Sequence, residues 1–329
     1  MIRIGINGLG RIGRLVLRAA LEDKHIEIGL VNTPGDPNIV SHLLKYDSIH
    51  GKSSYDFSFD SGFLIIGRKK ISISSYKNPS EINSKNIDIM LECSGKFNKR
   101  KDAELHIKAG AKKVIISAPS SDADATIICG VNDNMLVRDN NIISIGSCTT
   151  NALAPIVKII NDNFGIDSGY VTTIHAYTGD QNLVDNSHKD IRRTRSAALS
   201  MIPTKTGAAE TLGLVIPELA GKIYGSAVRV PVPNVSMLDM VLNLNKNASK
   251  ESINATILTE AKHMKSILGV TEAELVSIDY NHSSYSTIFD PFETYVIGSK
   301  MVRLVSWYDN EWGFAKRMID VAKLLYSKS

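Results

Sequence analysis

The fold is indicated first by residues 2–13, which read Ile2-Arg3-Ile4-Gly5-Ile6-Asn7-Gly8-Leu9-Gly10-Arg11-Ile12-Gly13. The apolar residues predict a short buried strand, and Gly8, Gly10 and Gly13 predict a tight G-x-G-x-x-G turn that opens a helix over residues 11–21. In such a turn the first glycine makes the bend, the second lets the backbone approach a pyrophosphate, and the third lets the helix pack on the strand. Backbone N–H groups at the helix start then face the phosphates. The stretch therefore predicts a dinucleotide-binding unit.

The rest of the first half continues this pattern. Residues 26–31 form a second apolar run, which ends in Asn32-Thr33-Pro34-Gly35, so the two strands and the helix between them predict one βαβ unit of a parallel sheet. Further strand-like runs alternate with polar or helical stretches, at residues 63–66, 87–91, 113–116 and 142–145. This alternation predicts a doubly wound α/β domain, which we expect to end near Cys148.

The second half has a different organisation. A helix is predicted over residues 147–164, with Gly165 as its stop signal. Beyond it, strand-like segments follow one another with fewer helices between them, at residues 171–177, 227–232, 237–244 and 294–306. This order predicts an α+β domain with a mixed or mostly antiparallel sheet. A last helix is predicted over residues 311–325.

Composition excludes several classes of protein. The 329 residues are 43% hydrophobic and 22% charged, which is ordinary for a globular protein of two domains. No apolar run approaches the roughly 20 residues that span a bilayer, and no signal-peptide pattern follows Met1, so we expect a cytoplasmic protein. The three cysteines have no paired spacing, so neither disulfides nor a metal site is predicted. A net charge of +4 with interleaved signs gives little support for nucleic-acid or membrane binding.

The carboxylate that often accompanies the glycine turn is missing. An Asp or Glu about 20 residues further on usually binds a free ribose 2′-hydroxyl, whereas this chain has Asn32-Thr33 there. Without that charge nothing repels a 2′-phosphate, so the site could accept NADP as well as, or in preference to, NAD. Alternatively, Thr33 is only a loop residue and NAD binds through other contacts. This feature alone leaves both possibilities open.

Cys148 is the best candidate for a nucleophile. It lies where a helix is predicted to begin, and a helix N-terminus lowers a cysteine pKa because it favours the thiolate. Cys93 and Cys129 stand in apolar surroundings and are predicted to be buried packing residues. A catalytic thiol also needs a histidine within hydrogen-bond reach, and His175 is the best placed because it closes a strand-like run. Spacing alone does not establish that the two residues meet.

Two motifs resemble the active-site motifs of the phosphorylating glyceraldehyde-3-phosphate dehydrogenase family: Ser147-Cys148-Thr149-Thr150-Asn151 and His175-Ala176-Tyr177-Thr178. The resemblance covers essentially the whole chain. The other matching motifs, in chain order, are Ile6-Asn7-Gly8 through Gly13-Arg14, Leu43-Leu44-Lys45-Tyr46-Asp47-Ser48, Ala109-Gly110-Ala111-Lys112-Lys113, Thr206-Gly207-Ala208-Ala209, Arg229-Val230-Pro231, Pro233-Asn234-Val235-Ser236 and Trp307-Tyr308-Asp309-Asn310-Glu311.

The resemblance implies a domain organisation and a reaction. Residues 1–148 with the C-terminal helix 311–329 would form a Rossmann-type dinucleotide-binding domain, residues 149–310 a catalytic domain, and four copies a homotetramer. Cys148 would attack the aldehyde of glyceraldehyde 3-phosphate, His175 would take the hydroxyl proton, and hydride would pass to the nicotinamide. Inorganic phosphate would then release the thioester as 1,3-bisphosphoglycerate, a step of glycolysis that gluconeogenesis runs in reverse.

The resemblance also implies two anion sites and a cofactor groove. The positions that match the substrate-phosphate site are Thr178 and Arg229, and those that match the site of the attacking phosphate are Ser147, Thr149, Arg195, Thr206 and Gly207. Hydroxyls, backbone N–H groups and guanidinium groups are the usual phosphate donors. The cofactor positions are Gly8 and Gly10 in the turn, Arg11 and Ile12 at the pyrophosphate, Lys77 and Ser117 along the groove, and Asn310 near the nicotinamide carboxamide. Arg192 and Arg193, which precede Arg195 in the same basic stretch, are expected to pair with acids or to face solvent.

Two departures from the family pattern concern the cofactor. Thr33 replaces the Asp that is common in the family, and Asn186-Ser187 stands where strictly NAD-using members resemble Leu-Pro. A serine at residue 187 resembles the NADP-using branch. We therefore expect NADP to support turnover comparable to, or better than, NAD.

Three other functions compete with this interpretation. The erythrose-4-phosphate dehydrogenase branch resembles the family closely but typically lacks the His-Ala-Tyr-Thr and Thr-Gly-Ala-Ala runs, and this chain retains both. A semialdehyde dehydrogenase would share the chemistry without the flanking motifs. A binding role, for instance toward RNA or a surface, remains open as a second activity.

Overall fold

The first strand, turn and helix form where the sequence predicts them. In the computed structural model, which describes residues 1–328, β1 (Ile2–Asn7) leads through the glycine turn into α1 (Arg11–Glu22) and on to β2 (Ile26–Asn32). The two strands are parallel, with Ile6 beside Val31. The predicted βαβ unit is therefore confirmed.

This βαβ unit opens the first of two units of the chain, Met1–Gly146 together with the residues from Ala315 onward. Its other strands are β3 (Phe57–Asp60), β4 (Phe63–Ile66), β5 (Lys69–Ser74), β6 (Ile89–Glu92), β7 (Lys113–Ile116), β8 (Ala125–Thr126) and β9 (Ile142–Ser144), and its next helices are α2 (Pro37–Lys45) and α3 (Arg100–Lys108). Within the described residues the strand order is β3-β4-β5-β2-β1-β6-β7-β9-β8. All neighbours from β5 to β8 are parallel, as the doubly wound prediction requires.

One edge of this sheet differs from the prediction. The strand-like run at residues 63–66 is not part of the parallel winding but the middle of an antiparallel meander, β3-β4-β5. The sequence pattern misses β3 and β5 because their residues are mostly half-buried or exposed, and their apolar residues alternate with polar ones. It misses β8 because two residues are too few to form a pattern.

A buried polar network joins the carboxyl ends of the central strands. The Glu92 carboxylate, which is fully buried, accepts hydrogen bonds from Asn7 Nδ2 at 2.5 Å and from the Ser94 backbone N–H at 2.8 Å, and it lies 2.8 Å from His106 Nε2. Asn32 Nδ2 in turn donates to Asn7 Oδ1 at 2.8 Å. Because buried polar groups are stable only when hydrogen-bonded, this network holds the ends of β1, β2 and β6 together.

The second unit is Ser147–Phe314. Its elements are α4 (Cys148–Phe164), β10 (Ile166–Ala176), β11 (Ile202–Lys205), α5 (Ala208–Val215), β12 (Ile223–Val230), β13 (Ser236–Leu244), α6 (Lys250–Ala261), β14 (Leu268–Val270), β15 (Thr287–Ile297), β16 (Met301–Tyr308) and the start of α7 (Trp312–Ser327). The strand order is β11-β12-β10-β13-β16-β15-β14. Only β10 with β12 and β14 with β15 pair in parallel, so the predicted, mostly antiparallel sheet is confirmed.

Helix α4 and the last hairpin show how single residues set element boundaries. The Ser147 side chain accepts from the Thr150 backbone N–H and caps α4, and Gly165 ends it with a positive φ of 68°. The stretch predicted at residues 294–306 is divided into β15 and β16 by Gly298, whose φ of 63° favours glycine. These residues decide where the chain enters and leaves the second sheet.

The glycine turn yields a prediction about stability. A Cβ at residue 13 would lie 1.8 Å from the carbonyl oxygen of Gly8, so Gly13→Ala would force α1 away from β1. We expect it to lower the free energy of unfolding in urea by about 1–3 kcal/mol, the usual cost of overpacking.

Gly10→Ser is the matched control for this substitution. Gly10 is the N-cap of α1 with an ordinary φ of −69°, a Cβ there meets nothing within 4 Å, and serine is a favoured N-cap residue. We therefore expect its unfolding free energy to stay the same or rise. Equal destabilisation by both substitutions would contradict the close packing at Gly13.

Candidate active site

The second unit brings Cys148 and His175 together. Cys148 is the first residue of α4, and His175 lies next to the end of β10. Cys148 Sγ is 3.6 Å from His175 Nε2, within hydrogen-bond reach for sulfur. Cys148 keeps partial exposure, as a nucleophile requires, whereas His175 is buried. The pairing that spacing could not establish is therefore present.

The surroundings of His175 orient its ring. His175 Nδ1 is 2.7 Å from the carbonyl oxygen of Ala176. A neutral imidazole carries one N–H, so donation from Nδ1 to Ala176 leaves Nε2 as an acceptor facing Cys148. His175 is thus arranged to take a proton from the thiol.

Arg229 is the charged group beside this pair. Parallel pairing of β10 with β12 places Arg229 opposite His175. Its Nη1 donates to the Ala176 carbonyl oxygen at 3.0 Å and lies 3.0 Å from His175 Nδ1. The guanidinium therefore disfavours a positive charge on the imidazole unless an anion neutralises it.

Burial determines the protonation states of Cys148 and His175 in the free chain. Burial raises the pKa of the Cys148 thiol, and Arg229 and the hydrogen bonds from Thr149 only partly oppose this rise. Burial, followed by Arg229, lowers the pKa of His175 to about 3. The sequence-based expectation of a lowered Cys148 pKa is therefore wrong for the free chain, because desolvation outweighs the helix N-terminus. A proton transfer from Sγ to Nε2 creates two opposite charges that stabilise each other, so the two groups titrate as a pair.

Tyr308 is a component of the site that the analysis of spacing did not identify. Its hydroxyl is 2.9 Å from Thr149 Oγ1 and 2.8 Å from Thr173 Oγ1, and its ring stands edge-on to His175 at 6.0 Å. Burial raises the pKa of this phenol, so it stays protonated. Tyr308 therefore links the first turn of α4 to β10, beneath Cys148. Its place within the matching motif Trp307-Tyr308-Asp309-Asn310-Glu311 was the one available signal.

The hydroxyls expected to bind phosphate are largely engaged within the chain. Ser147 caps α4, Thr149 bonds Tyr308, and Thr206 Oγ1 accepts from the Ala208 backbone N–H at 3.3 Å. Thr149 and Thr206 share the wall of a cavity of about 10 Å³, which is room for about one water. Gly207 is the N-cap of α5, and Thr178 follows β10 and is half-buried.

The three arginines of residues 192–195 have different surroundings. Arg192 is exposed. Arg193 pairs with Asp180 and donates to Thr204 Oγ1 at 3.1 Å, as expected for pairing with acids. Arg195 instead pairs with Asp185 at 2.8 Å, and its side chain is 68% exposed. Among residues 1–328, no hydrogen bond or ion pair connects Arg195 with Cys148, His175 or Arg229. In the free chain Arg195 therefore faces a carboxylate, and a phosphate would have to displace it.

In the first unit, the glycine turn has the features of an anion site. Gly8 has a φ of 93°, and a Cβ there would be 2.6 Å from the Ser94 backbone. The N-cap of α1, Gly10, has no side chain with which to cap the helix, whereas Asp36 caps α2. The Arg11 side chain pairs with Asp47 at 2.6 Å.

The remaining cofactor positions differ in exposure. Thr33 is buried at the end of β2, and its N–H donates to the Ser74 carbonyl oxygen, whereas Lys77 is exposed. Ile12 and Ser117 are half-buried, and Ser187 is exposed. Asn310 is buried in the second unit, with Oδ1 accepting from Ser236 Oγ at 2.9 Å.

The two remaining cysteines are buried. Burial raises the pKa of Cys93 and raises that of Cys129 to about 12, which confirms both as packing residues. In the part of the chain that the structure describes, no cluster of three or more His, Cys, Asp or Glu side chains could hold a metal ion. No helix there has the length and apolar character needed to cross a membrane.

Comparison with known proteins identifies the family. The C-terminal domain of glyceraldehyde 3-phosphate dehydrogenase matches residues 147–310, and its NAD binding domain matches residues 2–100. Glyceraldehyde-3-phosphate dehydrogenases from Priestia megaterium and Geobacillus stearothermophilus are each 47% identical over 99% of both chains, and that from Pseudomonas aeruginosa is 47% identical over 98% of both. The erythrose-4-phosphate dehydrogenase alternative is therefore not favoured. The chain belongs to the glyceraldehyde-3-phosphate dehydrogenase family of NAD-dependent oxidoreductases.

Proposed function

We propose that the chain oxidises glyceraldehyde 3-phosphate in the presence of inorganic phosphate to 1,3-bisphosphoglycerate through a thioester on Cys148. The observation that carries this proposal is the placement of Cys148 Sγ, at the start of α4, 3.6 Å from His175 Nε2 with Arg229 adjoining. A nucleophile, a proton acceptor and a cation for an anionic substrate are thus in one place.

The reaction follows from these groups. Cys148 passes its proton to His175, and Sγ forms a bond to the aldehyde carbon while the carbonyl π electrons move to oxygen, which takes the proton back from His175. As that carbon loses hydride, His175 accepts the hydroxyl proton and a thioester remains. A phosphate oxygen then bonds the thioester carbon, the C–S bond breaks, and the phosphate proton passes through His175 to the departing sulfur. The proton from the oxidation leaves to solvent.

The residues of the first unit fit a dinucleotide. Gly10 offers open space for a pyrophosphate, because a Cβ there would meet nothing within 4 Å, and it lies at the N-terminus of α1, the kind of helix end that favours phosphate groups. Bound NAD supplies the acceptor for the hydride. Gly8, Gly10, Arg11 and Ile12 would hold the pyrophosphate, with Lys77 and Ser117 along the groove and Asn310 at the nicotinamide.

Two groups of residues would hold the anions. Arg229 and Thr178 are proposed for the substrate phosphate, which would also neutralise the guanidinium beside His175 and raise the pKa of the imidazole. Ser147, Thr149, Thr206, Gly207 and Arg195 are proposed for the attacking phosphate. The position of Gly207 as the N-cap of α5 supports this second group, because a helix N-terminus favours an anion.

Removing the nucleophile is expected to abolish the reaction. Cys148→Ala should lower kcat by about 10⁴-fold or more in an assay with glyceraldehyde 3-phosphate, NAD and phosphate. Omitting phosphate from the wild-type assay should also suppress turnover, because the thioester then has no acceptor. Activity above a few per cent in Cys148→Ala, or turnover independent of phosphate and arsenate, would contradict the mechanism.

The thiol–imidazole pair should be visible in the pH dependence of alkylation. Because His175 accepts the thiol proton, wild-type Cys148 should react with iodoacetamide near neutral pH. In His175→Asn the thiolate must form alone against a pKa that burial raises, so the midpoint of the rate–pH curve should move to higher pH. The Cys148→Ala variant, with Cys93 and Cys129 intact, is the blank that shows which thiol reacts. An unchanged midpoint would exclude His175 as the proton acceptor.

For the cofactor, we propose that the site accepts NADP as well as NAD. Thr33 places a hydroxyl at the end of β2, and the nearby Asp36 carboxylate is engaged as the N-cap of α2, where it accepts from the Asn38 N–H at 2.8 Å. Ser187 and the cationic Lys77 are further groups compatible with a 2′-phosphate. No carboxylate at residue 33 opposes that phosphate.

A substitution at residue 33 tests this proposal. Thr33→Asp should weaken NADP binding by about tenfold or more while sparing NAD, because it adds a like charge near the 2′-phosphate. Thr33→Asn, which is similar in size but neutral, is the control and should bind NADP as the wild type does. Kinetics with both cofactors provide the measurement. A wild-type kcat/KM with NADP about a hundredfold below that with NAD, equivalent to about 2.8 kcal/mol, would refute the proposal.

We also propose that the chain forms a homotetramer. Tyr170 lies beside Tyr224 and Val241 in the register of β12, β10 and β13, and these side chains are 51%, 65% and 40% exposed. A separate segment exposes five large apolar side chains, Leu183, Val184, Ile191, Leu199 and Met201. Two apolar patches suit a tetramer with dihedral symmetry, which needs more than one self-complementary interface.

A charge at Tyr170, which lies beside the exposed Tyr224 and Val241, should disrupt the tetramer. Tyr170→Lys is expected to lower the mass measured by light scattering below that of a tetramer, because it places a charge within an apolar contact. Leu258→Lys, on the surface of α6 at a comparable 45% exposure, is the matched control and should leave the mass unchanged. A wild-type monomer, or equal effects of both substitutions, would count against the proposal.

A further inference from the structure

The segment Asn234–Val235–Ser236 has a backbone that local preferences disfavour. Val235 has a φ of 66°, in the left-handed region that a β-branched residue rarely adopts. Its side chain is buried in a cluster with Tyr280, Ile288 and the partly buried Trp307. Tertiary packing therefore holds this backbone, and such retained strain often marks a functional position.

Two hydrogen bonds run from this segment to Asp309 and Asn310. Asn234 Nδ2 donates to Asp309 Oδ2 at 2.8 Å, and Ser236 Oγ donates to Asn310 Oδ1 at 2.9 Å. Asp309 Oδ1 also accepts from the backbone N–H groups of Glu311 and Trp312 at the start of α7. The residues on both sides of Val235 thus fix Asp309 and Asn310 from one side, and α7 fixes Asp309 from the other.

The hydroxyl of Ser236 determines which end of the Asn310 amide is free. The Ala176 N–H donates to Ser236 Oγ at 3.1 Å, and the Ser236 hydroxyl donates to Asn310 Oδ1 at 2.9 Å. Within residues 1–328 no protein atom bonds Asn310 Nδ2. The amide therefore presents its NH₂ end as a donor. The same hydroxyl contacts Ala176, the residue after His175.

We propose that Ser236 is a positioning residue for the cofactor. Its hydroxyl holds the Asn310 amide so that Nδ2 donates to the carboxamide oxygen of the nicotinamide. The buried side chain of Val235 holds Ser236 in place. The inference rests on the proposed function, because it takes Asn310 to face a nicotinamide dinucleotide. We therefore expect the site to recognise the carbonyl oxygen of the carboxamide, which is a hydrogen-bond acceptor, and not to require the carboxamide NH₂.

Binding measurements without turnover test this proposal. We would measure Kd from the quenching of tryptophan fluorescence for NAD, for its 3-acetylpyridine analogue, which keeps the carbonyl but lacks the NH₂, and for ADP-ribose, which lacks the ring. The wild type should bind NAD and the analogue with similar affinity. Ser236→Ala should weaken both by about three- to tenfold, the value of one neutral hydrogen bond, and leave the affinity for ADP-ribose unchanged.

A second variant tests the role of the Val235 side chain. Val235→Gly removes the packing against Tyr280, Ile288 and Trp307, while glycine readily adopts the left-handed backbone. Ser236 should therefore lose its anchor, and the same selective loss should follow. Unchanged NAD binding in both variants, or an equal loss for ADP-ribose, would overturn the proposal. If the wild type bound neither NAD nor ADP-ribose, the proposed function itself would fail, whichever result the variants gave.

Discussion

The contact between Cys148 Sγ and His175 Nε2 is the interaction on which the site depends. It exists because α4 begins at Cys148 and β10 ends just after His175, within one unit of the chain. The Ser147 cap fixes the start of the helix, and the register of β10 with β12 adds Arg229 on the far side of the imidazole. A shift of one residue in that register would turn Arg229 to the other face of the sheet.

Burial gives this contact its chemical character. Desolvation disfavours both the thiolate and the imidazolium, so the thiol and the imidazole are both neutral in the free chain. Proton transfer from Cys148 to His175 creates a thiolate and an imidazolium next to each other, and no proton has to enter from solvent. An anion at Arg229 would remove the cation that opposes protonated His175. Binding of the substrate phosphate at Arg229, as proposed, would therefore be electrostatically coupled to activation of the thiol.

Each of the two units contains a buried polar network that holds its own loops. In the first unit, Glu92 ties Asn7 and His106 together. In the second, Asp309 and Ser236 hold the segment that carries Asn310. A partly satisfied network would destabilise the fold, because a buried polar group without a partner loses its hydrogen bonds to water and gains none in return. Such networks therefore allow one arrangement of the loops and penalise others.

The sequence by itself determined the features that depend on neighbouring residues. The strand, turn and helix of residues 2–22, the capped start of α4 and its end at Gly165 follow from apolar spacing, cap residues and glycine. The motifs around Cys148 and His175 also indicated the family. Even so, no local pattern identified β3, β5 or β8, because strands that are largely exposed or very short carry no continuous apolar run.

Only the tertiary structure decided how distant residues share one environment. It placed Tyr308 under Thr149, paired Arg11 with Asp47 and Arg195 with Asp185, and oriented Asn310 through Ser236. It also reversed the expected pKa shift of Cys148. The helix N-terminus that favours a thiolate is visible in the sequence, whereas the desolvation that outweighs it comes from side chains far along the chain. Desolvation and hydrogen-bond partners depend on proximity in space, which the order of residues alone does not specify.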